Sequence, residues 1–273
     1  MSAGAGPLTG LAPRWRTHPW IEVDARRRGV RACWSSAEAC LVLTGFVDDR
    51  PGMPTPAADQ LAVWGIGAPV AAAELILDVA ERGQFPGTAT GPSDGSVVGG
   101  CVPRGMPVLS SAADHPGLPA LLTGPTTSDW DWFSTTVAPA AHPGEVHVRE
   151  LVSGTDREAA ARCLAEANPH AEADPWAQET RWWGYDDGSG LSAVVGAHVR
   201  PDGWELGGIG TLPAARGRGS AGALVAVATR EALRHADRAA LGMYAHNVAG
   251  RALYTRAGYV VGQEFSGWRT LPS

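Results

Sequence analysis

Apolar and polar positions divide the chain into two stretches that differ in clarity. From residue 146 onward the pattern resolves into elements. Val146–Leu151 alternates as a strand with one buried face does. A helix is expected over 155–168, with Thr155 as cap and Asp156 and Glu158 in its first turn. Pro175–Trp183 reads as a second, short helix opened by its proline. A turn at Asp186–Gly190 leads into a strand at Leu191–Arg200. Pro201-Asp202-Gly203 then signals a hairpin into the strand Trp204–Leu212. Ser220–Ala236 places Ala221, Leu224, Val225, Ala228 and Ala232 on one face and predicts a long helix. A strand at Ala239–Ala245, a short helix at Val248–Ala257 and a last strand at Tyr259–Trp268 follow. The order β-α-α-β-β-β-α-β-α-β predicts an α+β (mixed α/β) fold, a mixed sheet with helices on its faces.

Before residue 146 the pattern is weaker. Residues 1–19, rich in Gly, Pro and Ala, read as a flexible lead-in. Residues 20–136 read as an N-terminal α/β domain, with strands at Ala39–Phe46 and Leu61–Gly67 and a helix at Val70–Arg82. From Gly83 to Pro125 the chain is full of Gly, Pro and Ser. Only Ser96–Cys101 and Val108–Ser110 look like short strands there. Residues 137–145 have linker composition, which sets 146–273 apart as a second domain. No internal repeat is visible.

Composition narrows the function classes. The 273 residues carry a net charge of −6, and all 22 basic residues are arginine, with no lysine. No overall positive field draws such a chain to nucleic acid or to an anionic membrane. The four cysteines (Cys33, Cys40, Cys101 and Cys163) form no CxxC pair and no zinc spacing, so no metal and no disulfide is expected. No apolar run reaches the ~18 residues of a membrane span, and the N-terminus lacks a signal-peptide pattern. The expected location is the cytoplasm.

The chemistry concentrates at Leu212–Gly222, LPAARGRGSAG, between a predicted strand and the longest predicted helix. The first amides of a helix lack partners, and the helix dipole adds partial positive charge there. Glycines let an anion reach those amides, and Arg216 and Arg218 add full charge; a pyrophosphate suits such a cradle. Gly217-x-Gly219-x-x-Gly222 also matches the dinucleotide fingerprint. However, Pro213–Arg216 intervenes after the strand, and only 51 residues follow Gly222, too few for a doubly wound domain. A Walker loop is excluded because it needs lysine. An ordinary helix-start turn with solvated arginines is the plain alternative.

Arg216-x-x-Gly219-x-Ala221 resembles the Arg/Gln-x-x-Gly-x-Gly/Ala motif of the GCN5-related N-acetyltransferase (GNAT) family. Downstream, Asn247-Val248-Ala249-Gly250-Arg251-Ala252-Leu253-Tyr254-Thr255-Arg256-Ala257-Gly258-Tyr259 is similar to that family's Asn-x-x-Ala-x-x-x-Tyr-x-x-x-Gly-Phe/Tyr signature, with Gly250 beside or in place of the usual alanine. The resemblance covers about residues 146–273. It implies the GNAT fold, a mostly antiparallel mixed sheet with a splay between its central strands. It implies acetyl-CoA as co-substrate, its pyrophosphate on Gly217, Arg218, Gly219, Ser220, Ala221 and Gly222 beside Arg216. The pantetheine arm would lie along Ile209, Gly210 and Thr211, with Asn247 as a coenzyme contact or a helix cap. Gly207, Gly208 and Gly210 suit a bulge and close backbone approach.

Acyl transfer to an amine needs a proton acceptor, an oxyanion donor and an acid for the leaving thiolate. By the resemblance, Tyr254 is the candidate acid and a main-chain amide near Ile209 the oxyanion donor. Glu205, eleven residues before Arg216, is the candidate base, directly or through water. A solvated strand glutamate is the other reading of Glu205, and a packing ring that of Tyr254. His198 and His246 are read as surface or packing residues, and Trp176, Trp182 and Trp183 as core or acceptor pocket. Trp34, Trp64, Trp130 and Trp132 mark the first block. The strand-turn-helix order of Ala62–Arg82 suggests a degenerate GNAT-like domain there, with an unrelated domain as the alternative. Asp48-Asp49 and Asp129-Trp130-Asp131 are read as solvated loop charges that could attract a cation. The expected activity is N-acetylation of a small-molecule primary amine by a monomer or homodimer; a non-catalytic acyl-CoA sensor is the alternative.

Overall fold

The computed structural model describes residues 7–46, 57, 59–84, 96–107 and 128–269. Asp48-Asp49 and Val108–Ser110 lie outside them. The N-terminal part comprises α1 (Pro13–Arg16), β1 (Val30–Ser35), β2 (Ala39–Gly45), β3 (Gln60–Gly67), α2 (Pro69–Glu81), β4 (Ser96–Pro103) and β5 (Ser128–Thr135). After a short 3-10 turn at Pro143–His147 come β6 (Val148–Glu150), α3 (Gly154–Ala167), β7 (Thr180–Asp186), β8 (Leu191–His198) and β9 (Trp204–Thr211). The chain continues through α4 (Ser220–His235), β10 (Ala239–Tyr244), α5 (Val248–Arg256) and β11 (Val260–Arg269).

The eleven strands among the described residues form one sheet, in the order β1-β2-β3-β4-β11-β5-β10-β9-β8-β7-β6. Among the described strands only β3–β4 and β9–β10 pair in parallel, and a helix, α2 or α4, lies between the partners in each case. The two parts therefore share one connectivity: three antiparallel strands, a helix, a parallel strand. Each part then lends a strand to the other. Strand β5 pairs with β10 over Trp130–Thr135, β11 pairs with β4 over Gly99–Pro103, and β5 and β11 pair with each other at the centre.

Helix α2 covers Leu41, Leu43, Leu61, Val63 and Val102 on β2, β3 and β4. Helices α4 and α5 cover Val195, Leu206, Leu241 and Phe133. On another surface of the sheet, α3 covers Trp182 and Val194, and the N-terminal segment covers Trp64, Trp132 and Phe265. Leu11, Trp15 and Trp20 of that segment are buried with them. Trp132 Nε1 donates to Asp24 Oδ2 at 2.7 Å. Burial alone would push the Asp24 carboxyl up. Arg27 and Arg28, with hydrogen bonds from Arg27 and Trp132, outweigh that and hold it below its ordinary value.

The expected helix at Pro175–Trp183 is not formed; β7 begins at Thr180. Adjacent Trp182 and Trp183 fill different clusters, beneath α3 and α4 respectively, which the two-residue period of a strand achieves. The α3 cap is Ser153 rather than Thr155. Ser153 Oγ accepts from Asp156 N, and Asp156 Oδ2 accepts from Ser153 N, each at 3.1 Å. That reciprocal box requires the residue three before Asp156.

His18 is largely buried beside Trp15, and burial followed by the Arg238 charge lowers its pKa from 6.5 to about 4. Unfolding therefore takes up a proton between those values, so stability is complete above pH 6.5 and falls as pH drops towards 4. The shift corresponds to roughly 3 kcal/mol. Tm measured from pH 7 to 4 is expected to fall steeply in the wild type and much less in His18→Gln.

Candidate active site

The slot in the sheet follows from the register. Strands β9 and β10 pair at Trp204–Ala239, Glu205–Ala240 and Leu206–Leu241, and the pairing stops there. Beyond it, β9 stays paired with β8 and β10 with β5, so the two strands part. The β8–β9 register shifts between Gly196–Gly207 and Val194–Gly210, so β9 carries one extra residue, a bulge. Gly208 there has φ +58°, and a Cβ on it would stand 2.5 Å from the Trp182 ring. Only glycine fits this position. The Ile209 carbonyl accepts from Asn168 Nδ2 at 3.3 Å, which ties β9 to the end of α3. Thr211 opposes Ala193 and ends the strand.

The glycine loop follows directly. Pro213–Ala215 make one 3-10 turn, then Gly217 (φ +78°) and Gly219 (φ +87°) lead into α4. Gly219 occupies the N-cap position without any side-chain cap, and Ala223 is the first residue of the helix whose amide reaches back, to the Gly219 carbonyl at 3.1 Å. The amides of Ser220, Ala221 and Gly222, ahead of that first bond, have no partner within the helix, and a side chain at Gly217 would meet nothing within 4 Å. An anion fits such a cradle. Arg216 clamps the loop to its supports: Nε donates to the Thr211 carbonyl at 3.2 Å and a terminal nitrogen to the Ala167 carbonyl at 3.3 Å. Arg218 is exposed, whereas Ser220 is buried.

Tyr254 lies on α5, 5% exposed, packed edge-on to Phe133 and Tyr259 at 6.0 and 6.3 Å. Burial raises its pKa to about 12, so the phenol stays protonated and able to donate. Glu205 stands one residue before the last β9–β10 pair. Its Oε2 lies 3.3 Å from Arg27 and 3.6 Å from Arg200. Its neighbours Trp204 and Leu206 point into the Tyr254 cluster, so the Glu205 side chain points to the opposite face. The fold packs Tyr254 in one cluster with Leu206 of β9 and Leu224 of α4 and sets Glu205 on the opposite face of the sheet. Asn247 caps α5, accepting from Gly250 N at 2.9 Å. A Cβ on Gly250 would come within 2.6 Å of that Asn247 side chain, which accounts for glycine at this point of the signature. His246 stacks on Tyr244, and Trp176 is exposed.

The sequence profile of the acetyltransferase (GNAT) family matches residues 149–259. The C-terminal half is a GNAT domain. A GCN5-related N-acetyltransferase from Kribbella flavida shares the fold over nearly the whole chain, at 12% identity, with 94% of this chain and 96% of that one covered and a TM-score of 0.50. A GNAT-family acetyltransferase from Colwellia psychrerythraea is similar at 13% identity, with 98% of each chain covered and a TM-score of 0.49. No curated protein matches the sequence. No helix among the described residues is long and apolar enough to cross a membrane.

One neighbour of the GNAT loop was not singled out from sequence. His142, within the stretch of linker composition, lays its ring against the first turn of α4. Cε1 lies 3.2 Å from where a Gly219 Cβ would stand, and Nε2 lies 3.1 Å from that of Gly222. Its Nδ1 accepts from Gly144 N at 3.1 Å, so Nε2 carries the proton. Glu145 holds the strap through an ion pair with Arg230 of α4. A histidine followed by Pro-Gly offers no periodic signal, so only folding reveals this contact.

The phenol shift is open to measurement. Stability contributed by keeping Tyr254 neutral is complete below pH 10 and is lost as pH rises towards 12. The 295 nm difference titration between wild type and Tyr254→Phe is expected to carry its amplitude near pH 12 and none near pH 10.

Proposed function

We propose that the protein transfers an acetyl group from acetyl-CoA to a primary amine of a small molecule, by direct attack within a ternary complex. The observation that supports this reading is the uncapped, glycine-lined start of α4, which follows β9, the strand whose pairing with β10 stops at Leu206–Leu241. The pyrophosphate would rest on those amides, with Arg216 and Arg218 adding charge. The pantetheine arm would pair along Ile209, Gly210 and Thr211 as an added strand. The thioester then enters the slot at the bulge, where a main-chain amide near Ile209 polarises its carbonyl.

The neutral amine attacks the carbonyl carbon and the carbon–sulfur bond breaks. The Tyr254 phenol gives its proton to the departing thiolate and regains one from solvent. Glu205 takes the amine proton through water, since it stands at the closed end of the slot and on the opposite face from the phenol. The N-terminal part, with the same connectivity but only Ala68 between β3 and α2, is read as a degenerate GNAT-like unit. It lacks room for a phosphate loop and serves as a wall of the site.

Tyr254→Phe should lower kcat about a hundredfold or more with little change in the Kd for coenzyme A, and Glu205→Gln should lower kcat at least tenfold. Free-thiol detection with acetyl-CoA over a panel of amines measures both; an unchanged kcat in Tyr254→Phe would show that the tyrosine is not the acid. Gly219→Glu puts a carboxylate in the phosphate seat and strains φ +87°. Calorimetry is expected to show coenzyme A binding lost, and undiminished affinity would reject the loop assignment.

A further inference from the structure

Helix α5 carries the proposed acid, yet its own apolar grip on the sheet is slight. Of its nine residues only Gly250 and Tyr254 are buried. A helix that short has no stability by itself in water. One turn before Tyr254, Arg251 is ion-paired with Oδ2 of Asp131 on β5, a carboxylate with 0% exposure. The other oxygen of Asp131 takes Arg104, just beyond β4, which also donates to the Trp130 carbonyl at 2.9 Å. Glu264 of β11 closes a ring, 3.4 Å from Arg104 and 3.3 Å from Arg251. Two guanidiniums and two carboxylates thus join β4 and β5 of the N-terminal part to α5 and β11. The Arg251 guanidinium also lies 5.7 Å from the centre of the Phe133 ring, the ring that meets Tyr254 edge-on.

A buried ion pair adds little net stability over an apolar replacement, because desolvation offsets the attraction. Holding one geometry is what such a ring does well. We propose that Arg251, fixed by Asp131 and the ring, is a positioning residue that sets the height and depth of the Tyr254 phenol. The N-terminal part thereby takes a share in catalysis through a strand it lends. This rests on Tyr254 being the acid.

The test pairs Arg251→Met with Arg251→Lys, each also in a Tyr254→Phe background. Arg251→Met should cut kcat at least tenfold with the acetyl-CoA KM within about twofold, and Arg251→Lys should recover most of that loss. In the Tyr254→Phe background neither change should lower kcat further, since the effect passes through the phenol. Independently of turnover, Arg251→Met should move the Tyr254 titration at 295 nm from near 12 towards 10 as the phenol becomes exposed. A fixed titration midpoint, or equal losses with and without the phenol, overturns the proposal. A higher acceptor KM at unchanged kcat also overturns it and assigns the ring instead to the cavity of about 470 Å³ that Arg104, Arg251 and Glu264 line. Absence of turnover in the wild type rejects the acid reading, and the titration still decides the positioning role.

Discussion

Strand β10 can part from β9 because β5 holds its other edge. A strand that gives up half its ladder leaves amides and carbonyls that need partners. Here β10 shares three register pairs with β9 and six with β5. The lent strand thus keeps β10 in the sheet where β9 leaves it, and the bulge and the glycine loop lie on the chain that departs. Without β5 between them, β10 and β11 would need another arrangement, and the opening would have no rigid wall.

The same exchange explains the chemistry of the centre. Trp132 and Phe133 point to opposite faces of β5. Trp132 is buried against Asp24 and the N-terminal segment, Phe133 against α5 and Tyr254. Asp131 shares the Phe133 face and gathers two arginines there. One eight-residue strand therefore packs the N-terminal segment, anchors α5 and borders β10. Asp131 is no solvated loop charge, as Asp129-Trp130-Asp131 suggested in sequence; full burial with two cations is the opposite environment.

Legibility followed periodicity. Helix α4 and strands β2, β3, β8, β9 and β10 were readable because each has a sustained apolar pattern of one period. Strand β5 was not, because it opens on the alternating acidic and aromatic run Asp129-Trp130-Asp131-Trp132, and the burial of Asp131 and Trp132 depends on partners far along the chain. The Pro175–Trp183 stretch misled because a proline followed by aromatic residues satisfies a helix start as readily as a turn before a strand. The turn into α4 was readable since Gly217 and Gly219 stand just before a sustained apolar helix period, whereas His142 meets that turn only by packing.

Sequence alone determined most elements of the C-terminal half, β7 excepted, and the glycine turn at the start of its longest helix and the tyrosine signature, since these depend on residues near one another in the chain. Tertiary structure decided the exchange of β5 and β11, the ion ring behind Tyr254, the seat of His142 and the side of the sheet on which Glu205 lies. Those depend on pairing between segments up to more than a hundred residues apart, where register and burial, rather than local preference, fix the neighbours.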